Sequence, residues 1–204
     1  AGGVLGLGRA AALAGADRTA LLLVVELCSL SFQKSDVSKK NLVASALFGD
    51  GAAGVLIGSR GRGPRLRAQE EHTWPGTLDV MGWDVVDTGF SVLFSRSIPH
   101  LVRSRLRPVL DAFLRRQGLT ADDVDEFLCH PGGAKVLDAL EDALGLRRGA
   151  LEHSRRTLAD HGNMSAPTVL FSLKEALRGA QAGRKFVLTT LGPGFSAGMM
   201  FIEA

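Results

Sequence analysis

The hydrophobic positions of the chain fall into blocks of different period. Residues 1–16, AGGVLGLGRAAALAGA, suit a helix built from small residues. Gly2, Gly3, Gly6 and Gly8 lower its intrinsic propensity, so it is expected to be buried where neighbours approach its backbone closely. From Leu21, LLLVVELCSLSF is a continuous apolar run and reads as a strand buried on both faces. Polar QKSDVSKKN predicts a solvated loop, LVASALF a short helix, and GDGAAGVLIGS a Gly-rich turn into a second buried strand. SRGRGPRL at 59–66 combines Gly, Pro and charge and reads as a linker, dividing the chain into 1–62 and 63–204. The segment from Leu66 to Val92, with Trp74 and Trp83, shows no clean period and reads as irregular. Residues 99–117 predict an amphipathic helix whose arginines form a solvated face. A short strand at 126–129 empties into His-Pro-Gly-Gly, and a helix at 134–145 is closed by Gly145. A last helix is expected from about 163 to 180, followed by strands KFVLTTL and AGMMFIE around the turn GPGF. The alternation of helices and buried strands predicts an α/β fold.

A weak internal repeat runs through these elements. Helix 1–16 leads to a strand, and further on a Gly-rich turn leads to another strand; helix 163–180 does the same. Superposed by their strands, the two units place Asn163 at or just before residue 1. Two halves related by a pseudo-twofold bring two helix N-termini close to one point.

Composition narrows the function classes. The 204 residues are 46% hydrophobic and 22% charged, an ordinary globular balance. A net charge of +3, with few aromatics and no basic stripe between them, argues against nucleic acid as a partner. A mildly basic surface is compatible with a phosphate-bearing ligand such as coenzyme A. Cys28 and Cys129 sit in apolar runs, which predicts free thiols and a cytoplasmic setting. No stretch reaches the roughly 20 apolar residues of a membrane span. The opening has neither a basic n-region nor an initiator Met, so it does not read as a signal peptide, and a start inside a Gly/Ala-rich helix reads as cut from a longer protein.

The candidate chemistry centres on two side chains. His130 ends a buried strand at a Gly turn, where open sheets place functional groups. Asn163 lies in HGNMSAP at an expected helix start, where an Asn also serves as an N-cap. An imidazole and a carboxamide converging on helix N-termini form a donor cluster suited to an oxyanion or enolate. Such a cluster also favours a thiolate beside it. Cys129 is a poor nucleophile, because neighbours on a strand point to opposite faces. Cys28, at a strand end, either lines a pocket or is a small buried hydrophobe. His72, His100, His153 and His161 lack metal-ligand spacing.

ALFGDGAA (46–53), CHPGG (129–133), HGNMSAP (161–167) and LGPGF (191–195) resemble the chalcone-synthase-like type III polyketide synthases, in order and in spacing. The resemblance covers essentially the whole chain. It implies a thiolase-like layered αβαβα fold, with 1–62 ending one half and 63–204 forming the other. It implies that His130 and Asn163 are catalytic and that the nucleophilic Cys lies just before Ala1, outside this chain. Phe48 matches the gate between the coenzyme A tunnel and the reaction cavity. Val92 takes the second gate position, Phe in plant enzymes, when GFSVLFSRSIP is aligned through Pro99. Cys28, Ser31, Ala44 and Ser165 match cavity-lining positions, and Gly192, Pro193 and Gly194 match the loop under the pocket floor. The implied substrates are acyl-CoA and malonyl-CoA, with no metal and no redox cofactor. The implied partners are the N-terminal part of the same protein and a second subunit in a homodimer. ELCSLSFQ and MGWDVVDTGFSVLFSRSIP resemble bacterial synthases that make alkylpyrones and alkylresorcinols from long acyl starters. The alternatives are a ketoacyl-synthase-III-like or hydroxymethylglutaryl-CoA-synthase-like condensing enzyme, or a non-catalytic subunit without a nucleophile.

Overall fold

A computed structural model describes all residues except Arg62 and Thr88. Arg62, the last residue of the expected first half, therefore lies outside the described residues. The first helix, α1 (Gly2–Ala14), is closely packed as its glycines require: a Cβ on Gly3 would stand 2.3 Å from the carbonyl oxygen of Ala166. Strands β1 (Thr19–Glu26) and β2 (Gly51–Gly58) form an antiparallel pair, with α2 (Lys39–Leu47) between them in sequence. Ser38 caps α2 by accepting from the Asn41 amide.

The apolar run from Leu21 is not buried on both faces. Leu22 and Val24 face α1 and α6 (Thr168–Leu177), whereas Leu21, Leu23 and Val25 are 59, 68 and 64% exposed. A two-stranded sheet has only one face to lay on this helix layer, and nothing among the described residues covers the other. Nor does the run continue as strand: Cys28–Ser31 form a single 3-10 turn, pinned because the Asp50 carboxylate accepts from both the amide and the hydroxyl of Ser29.

The expectation of irregular structure between Leu66 and Val92 is also wrong. The segment contains β3 (Arg65–Thr73), β4 (Met81–Val86) and β5 (Gly89–Phe94). β3, RLRAQEEHT, is an edge strand that among the described residues pairs only with β8 (Ser196–Glu203), and its many polar side chains hide the strand period. β4 and β5 pair as a separate hairpin in register from Met81↔Phe94 to Val86↔Gly89.

The remaining elements are α3 (Ile98–Arg116), β6 (Glu126–Cys129), α4 (Ala134–Leu144), α5 (Glu152–His161) and β7 (Lys185–Gly192). Gly145 closes α4 in the left-handed conformation, as its position predicts. The arginines of α3 do form a polar face, tied by Arg103–Asp142 (2.8 Å) and Arg107–Asp111 (2.7 Å). α5 is not evident from the sequence because most of its residues are polar; Arg155 anchors it to Asp138 and Glu141 of α4. The helix expected from Asn163 begins at Thr168 instead, after Pro167, so Asn163 is not its cap.

The larger sheet has the order β3-β8-β7-β6, with β6 parallel to β7 and the other pairs antiparallel. One core cluster packs α3 and α4 against one face of this sheet through Leu110, Phe113, Leu137, Leu140 and Val187. The second packs α1 and α6 against the opposite face through Val4, Leu7, Val169, Phe186 and Met200, and reaches Val24 of β1. The layers therefore run helices, sheet, helices, sheet. The repeat read from the sequence is visible as α1 followed by the β1–β2 pair and α6 followed by the β7–β8 pair.

Candidate functional site

The parallel β6–β7 pairing carries the chain to His130, whose amide donates to the Thr189 carbonyl (2.8 Å) one residue beyond the strand. The Gly132 amide then donates back to the His130 carbonyl (3.0 Å), and Gly133, at φ 150°, turns the chain into α4. This compact turn leaves the imidazole at the strand end. Its Nδ1 is enclosed and has no hydrogen-bond partner among the described residues. Burial pushes the His130 pKa down to about 3. The ring is therefore neutral at pH 7. An empty acceptor is tolerated in a protein interior more often than an orphaned N–H, so the favoured tautomer carries its proton on Nε2 and makes that atom a donor. We expect the His130 imidazole resonances of the free chain to stay in the neutral form from pH 8 down to pH 5. A midpoint near the ordinary histidine value of ~6.5 in an NMR titration would contradict this placement.

Asn163 is held by its backbone and its side chain. Its amide donates to the Leu47 carbonyl (2.8 Å), and the Gly49 amide donates to the Asn163 carbonyl (3.0 Å), a parallel bridge between Asn163 and Phe48. Its Oδ1 accepts from the Ser165 amide (2.8 Å), which orients the carboxamide and keeps the Nδ2 donor out of that bond. Gly162, at φ 71°, is required here, since a Cβ would stand 2.9 Å from the Leu47 oxygen.

His130 and Asn163 line one cavity of about 90 Å³ together with Ala1, Cys28, Phe48, Val92, Ser165 and Pro193. Seven site positions read from the sequence thus meet at one place, beside Ala1. Gly192 borders it through Ala1, which a Cβ on Gly192 would approach to 2.9 Å, and Gly194 (φ 133°) shapes the turn behind it. Ser31 and Ala44 do not line this cavity. They line a neighbouring side pocket of about 370 Å³, with Cys28, Ser29, Asn41 and Asp50. Ala44 also borders a third, open space of about 780 Å³ between α2, β5 and the start of α4. Phe48 lines all three spaces, and Val92 lines the first and the third. The Phe48 ring meets Phe94 edge-on, with centroids 6.4 Å apart.

Several lining residues escaped sequence reading. Met81, Gly82, Trp83, Leu93 and Phe94 belong to the β4–β5 hairpin, which has no obvious period. Lys39, Lys40, Arg96 and Lys135 border the open space and come from three separate segments. Cys129 is enclosed and apolar, its pKa pushed up to about 12 by burial, which excludes it as the thiolate. Cys28 is half-buried and shifted up to about 11, by burial first and then by Glu26 and Asp50. Both thiols are free. Among the described residues, no group of three His, Cys, Asp or Glu side chains is arranged to hold a metal ion. No helix among them is long and apolar enough to cross a membrane.

Residues 65–203 match the C-terminal domain of chalcone and stilbene synthases. The chain belongs to this family. Over 99% of its length it is 44% identical to a 1,3,6,8-tetrahydroxynaphthalene synthase of Streptomyces peucetius subsp. caesius, covering 56% of that protein. Over its whole length it is 40% identical to a putative chalcone synthase of Bacillus subtilis (strain 168), covering 59% of it. The crystal structure of 1,3,6,8-tetrahydroxynaphthalene synthase from Streptomyces coelicolor A3(2), a bacterial type III polyketide synthase, superposes with a TM-score of 0.93 at 32% identity. That superposition covers all of this chain and 60% of the other. The layered fold of this chalcone-synthase-family chain is therefore the thiolase-like one. The chain spans somewhat over half the length of these relatives.

Proposed function

We propose that this chain carries the His-Asn part of a type III polyketide synthase active site, acting on acyl-CoA and malonyl-CoA. The observation that carries the proposal is that His130 and Asn163 line one cavity together with Ala1, at the start of α1. The nucleophile in this reading is a Cys just before Ala1. Its thiolate attacks the starter thioester and becomes acylated as the bond to the coenzyme A sulfur breaks and coenzyme A leaves as its thiolate. Such an anion beside His130 favours the protonated ring and offsets the depression of its pKa. The thioester oxygen of malonyl-CoA accepts from His130 Nε2 and Asn163 Nδ2. As carbon dioxide leaves, negative charge grows on that oxygen and both hydrogen bonds strengthen, which lowers the barrier. The enolate carbon then attacks the acyl group on sulfur, and the thiolate is released. No step in this scheme calls for a metal or a redox cofactor. Lys39, Lys40, Arg96 and Lys135 around the open space supply positive charge for the phosphates of a coenzyme A thioester.

The long aliphatic starter, with an alkylpyrone or alkylresorcinol product, belongs to the same proposal. Val92 supports it: a branched aliphatic stands between the open space and the cavity where a ring would narrow the passage. Each methylene buried there contributes about 0.8 kcal/mol. Val92→Phe is expected to move the preferred starter to shorter acyl chains, measured as relative kcat/KM across acyl-CoAs of graded length. An unchanged ranking would remove Val92 from this role. The polar side pocket, with Ser29, Ser31, Asn41 and Asp50, favours a second reading, a polyhydroxylated aromatic product of the kind named for the relatives.

The homodimer and the contact with the N-terminal part of the same protein stay within the proposal. The exposed Leu21, Leu23 and Val25 of β1 support a covering by further protein. A cytoplasmic setting is supported by the two free thiols. Incubation of the full-length protein with graded acyl-CoAs and malonyl-CoA, followed by mass spectrometry, tests the function. Products of several extensions with cyclisation are expected. A single extension would indicate a ketoacyl-synthase-III-like enzyme instead, and no condensation a non-catalytic subunit.

A further inference from the structure

Residues 47–50 tie several parts of the site together. The Leu47 carbonyl and Gly49 amide hold the backbone of Asn163. Phe48 walls all three cavities. Asp50, two residues on, accepts from the Ser29 amide and the Ser29 hydroxyl, both at 2.7 Å. Ser29 follows Cys28, and Cys28 lines both the reaction cavity and the side pocket. The other hydrogen bonds described within the turn are local: Ser31 Oγ donates to the Cys28 carbonyl (2.7 Å), and the Leu30 amide donates to the Leu27 carbonyl (3.1 Å). The turn and residues 48–50, just before β2, thus both line the side pocket, and the Ser29–Asp50 clamp joins them. A carboxylate that takes two donors from one residue fixes direction as well as distance.

We infer that Asp50 is a positioning residue. Its clamp on Ser29 sets the width of the 370 Å³ side pocket between the Cys28–Ser31 turn and Phe48, and so limits how far a growing chain extends before release. This rests on the proposed reaction, since a chain must grow beside Phe48 for the side pocket to receive it. Asp50 itself touches no reacting atom in this scheme. The carboxylate is held below the usual range by the two Ser29 bonds, so the clamp is charged at neutral pH.

Two measurements on the full-length protein test the inference, with Ser29→Ala, Asp50→Ala and Asp50→Asn. The first is the rate of Cys28 alkylation by iodoacetamide, followed at the Cys28 peptide by mass spectrometry. Ser29→Ala keeps the Asp50 charge, so a faster reaction in that variant reports a loosened turn and not a changed field. Asp50→Asn, which retains one acceptor, is expected to fall between the wild type and Asp50→Ala. Buried Cys129 serves as the internal control for global unfolding. The second is the ratio of longer to shorter products per malonyl-CoA decarboxylated, expected to rise in Ser29→Ala and Asp50→Ala. Ser29→Ala removes the hydroxyl bond and keeps the amide bond, whereas Asp50→Ala removes both, so the double variant is expected to match Asp50→Ala. Unchanged alkylation in Ser29→Ala would overturn the clamp, and faster alkylation with an unchanged product ratio would overturn its link to chain length. If the wild type decarboxylates no malonyl-CoA, the reaction reading fails and takes the chain-length half with it, while alkylation still decides the clamp.

Discussion

Asn163→Ala is expected to lower malonyl-CoA decarboxylation by the full-length protein by ~10²–10³, the usual cost of one oxyanion donor. Oδ1 is engaged by the Ser165 amide, so the group left for a ligand is the Nδ2 donor, in the cavity that His130 also lines. The substitution removes that donor and leaves the two backbone bonds to Leu47 and Gly49 in place, so the fold around the site has no reason to collapse. A donor that acts mainly as charge develops affects kcat more than KM. Radiolabelled carbon dioxide release measures the step separately from condensation. Full decarboxylation in the variant would remove Asn163 from the chemistry and return it to a structural role in its loop.

Glu141→Ala is expected to destabilise the chain by about 3–5 kcal/mol, the cost of removing one partner of a buried ion pair. The Glu141 side chain has no solvent contact, although it lies just beneath a surface layer of arginines. It accepts from the Gly149 and Leu151 amides and from Arg155 Nε and Nη2, at 3.0, 3.2, 3.1 and 2.7 Å. One carboxylate thereby fixes the loop after α4 and ties α4 to α5. Burial pushes its pKa up, and Arg155 with the two amides reverses this to a net lowering. The stability it contributes is therefore present above the ordinary carboxylate pKa and is lost as pH falls through the lowered value. Urea unfolding at pH 7 is the measurement. A loss below about 1 kcal/mol would mean that the network relaxes around the missing charge.

The parts of the fold that could be read in the sequence are those where one period dominates. α3 and α4 carry clean apolar stripes, and β6, β7 and β8 are short apolar runs between turns. The failures have physical causes. β3 is an edge strand whose charged residues leave no apolar alternation over most of its length. β1 was expected to be buried on both faces because a continuous apolar run describes a strand without saying what covers it; here one face meets helices and the other meets solvent. α5 is made of polar residues held by ion pairs and packing that involve distant parts of the chain.

The candidate site was more legible than the fold around it. Short Gly-containing motifs mark His130 and Asn163, because a strand end and a tight loop each need glycine at fixed offsets. The hairpin wall with Trp83 and the lysines around the open space carry no such mark, since shape and charge come from residues far apart in the chain. The Ser29–Asp50 clamp is of the same kind: two ordinary polar residues 21 positions apart, meaningful only once the turn and residues 48–50 are seen to line one pocket.

The most direct test of the shared donor site is a crystal structure of the full-length protein with a non-decarboxylating malonyl thioester analogue. The account predicts that the thioester oxygen lies within hydrogen-bond reach, about 2.6–3.2 Å, of both His130 Nε2 and Asn163 Nδ2. A thioester oxygen bound by neither side chain, with the two groups turned away from a common point, would contradict it.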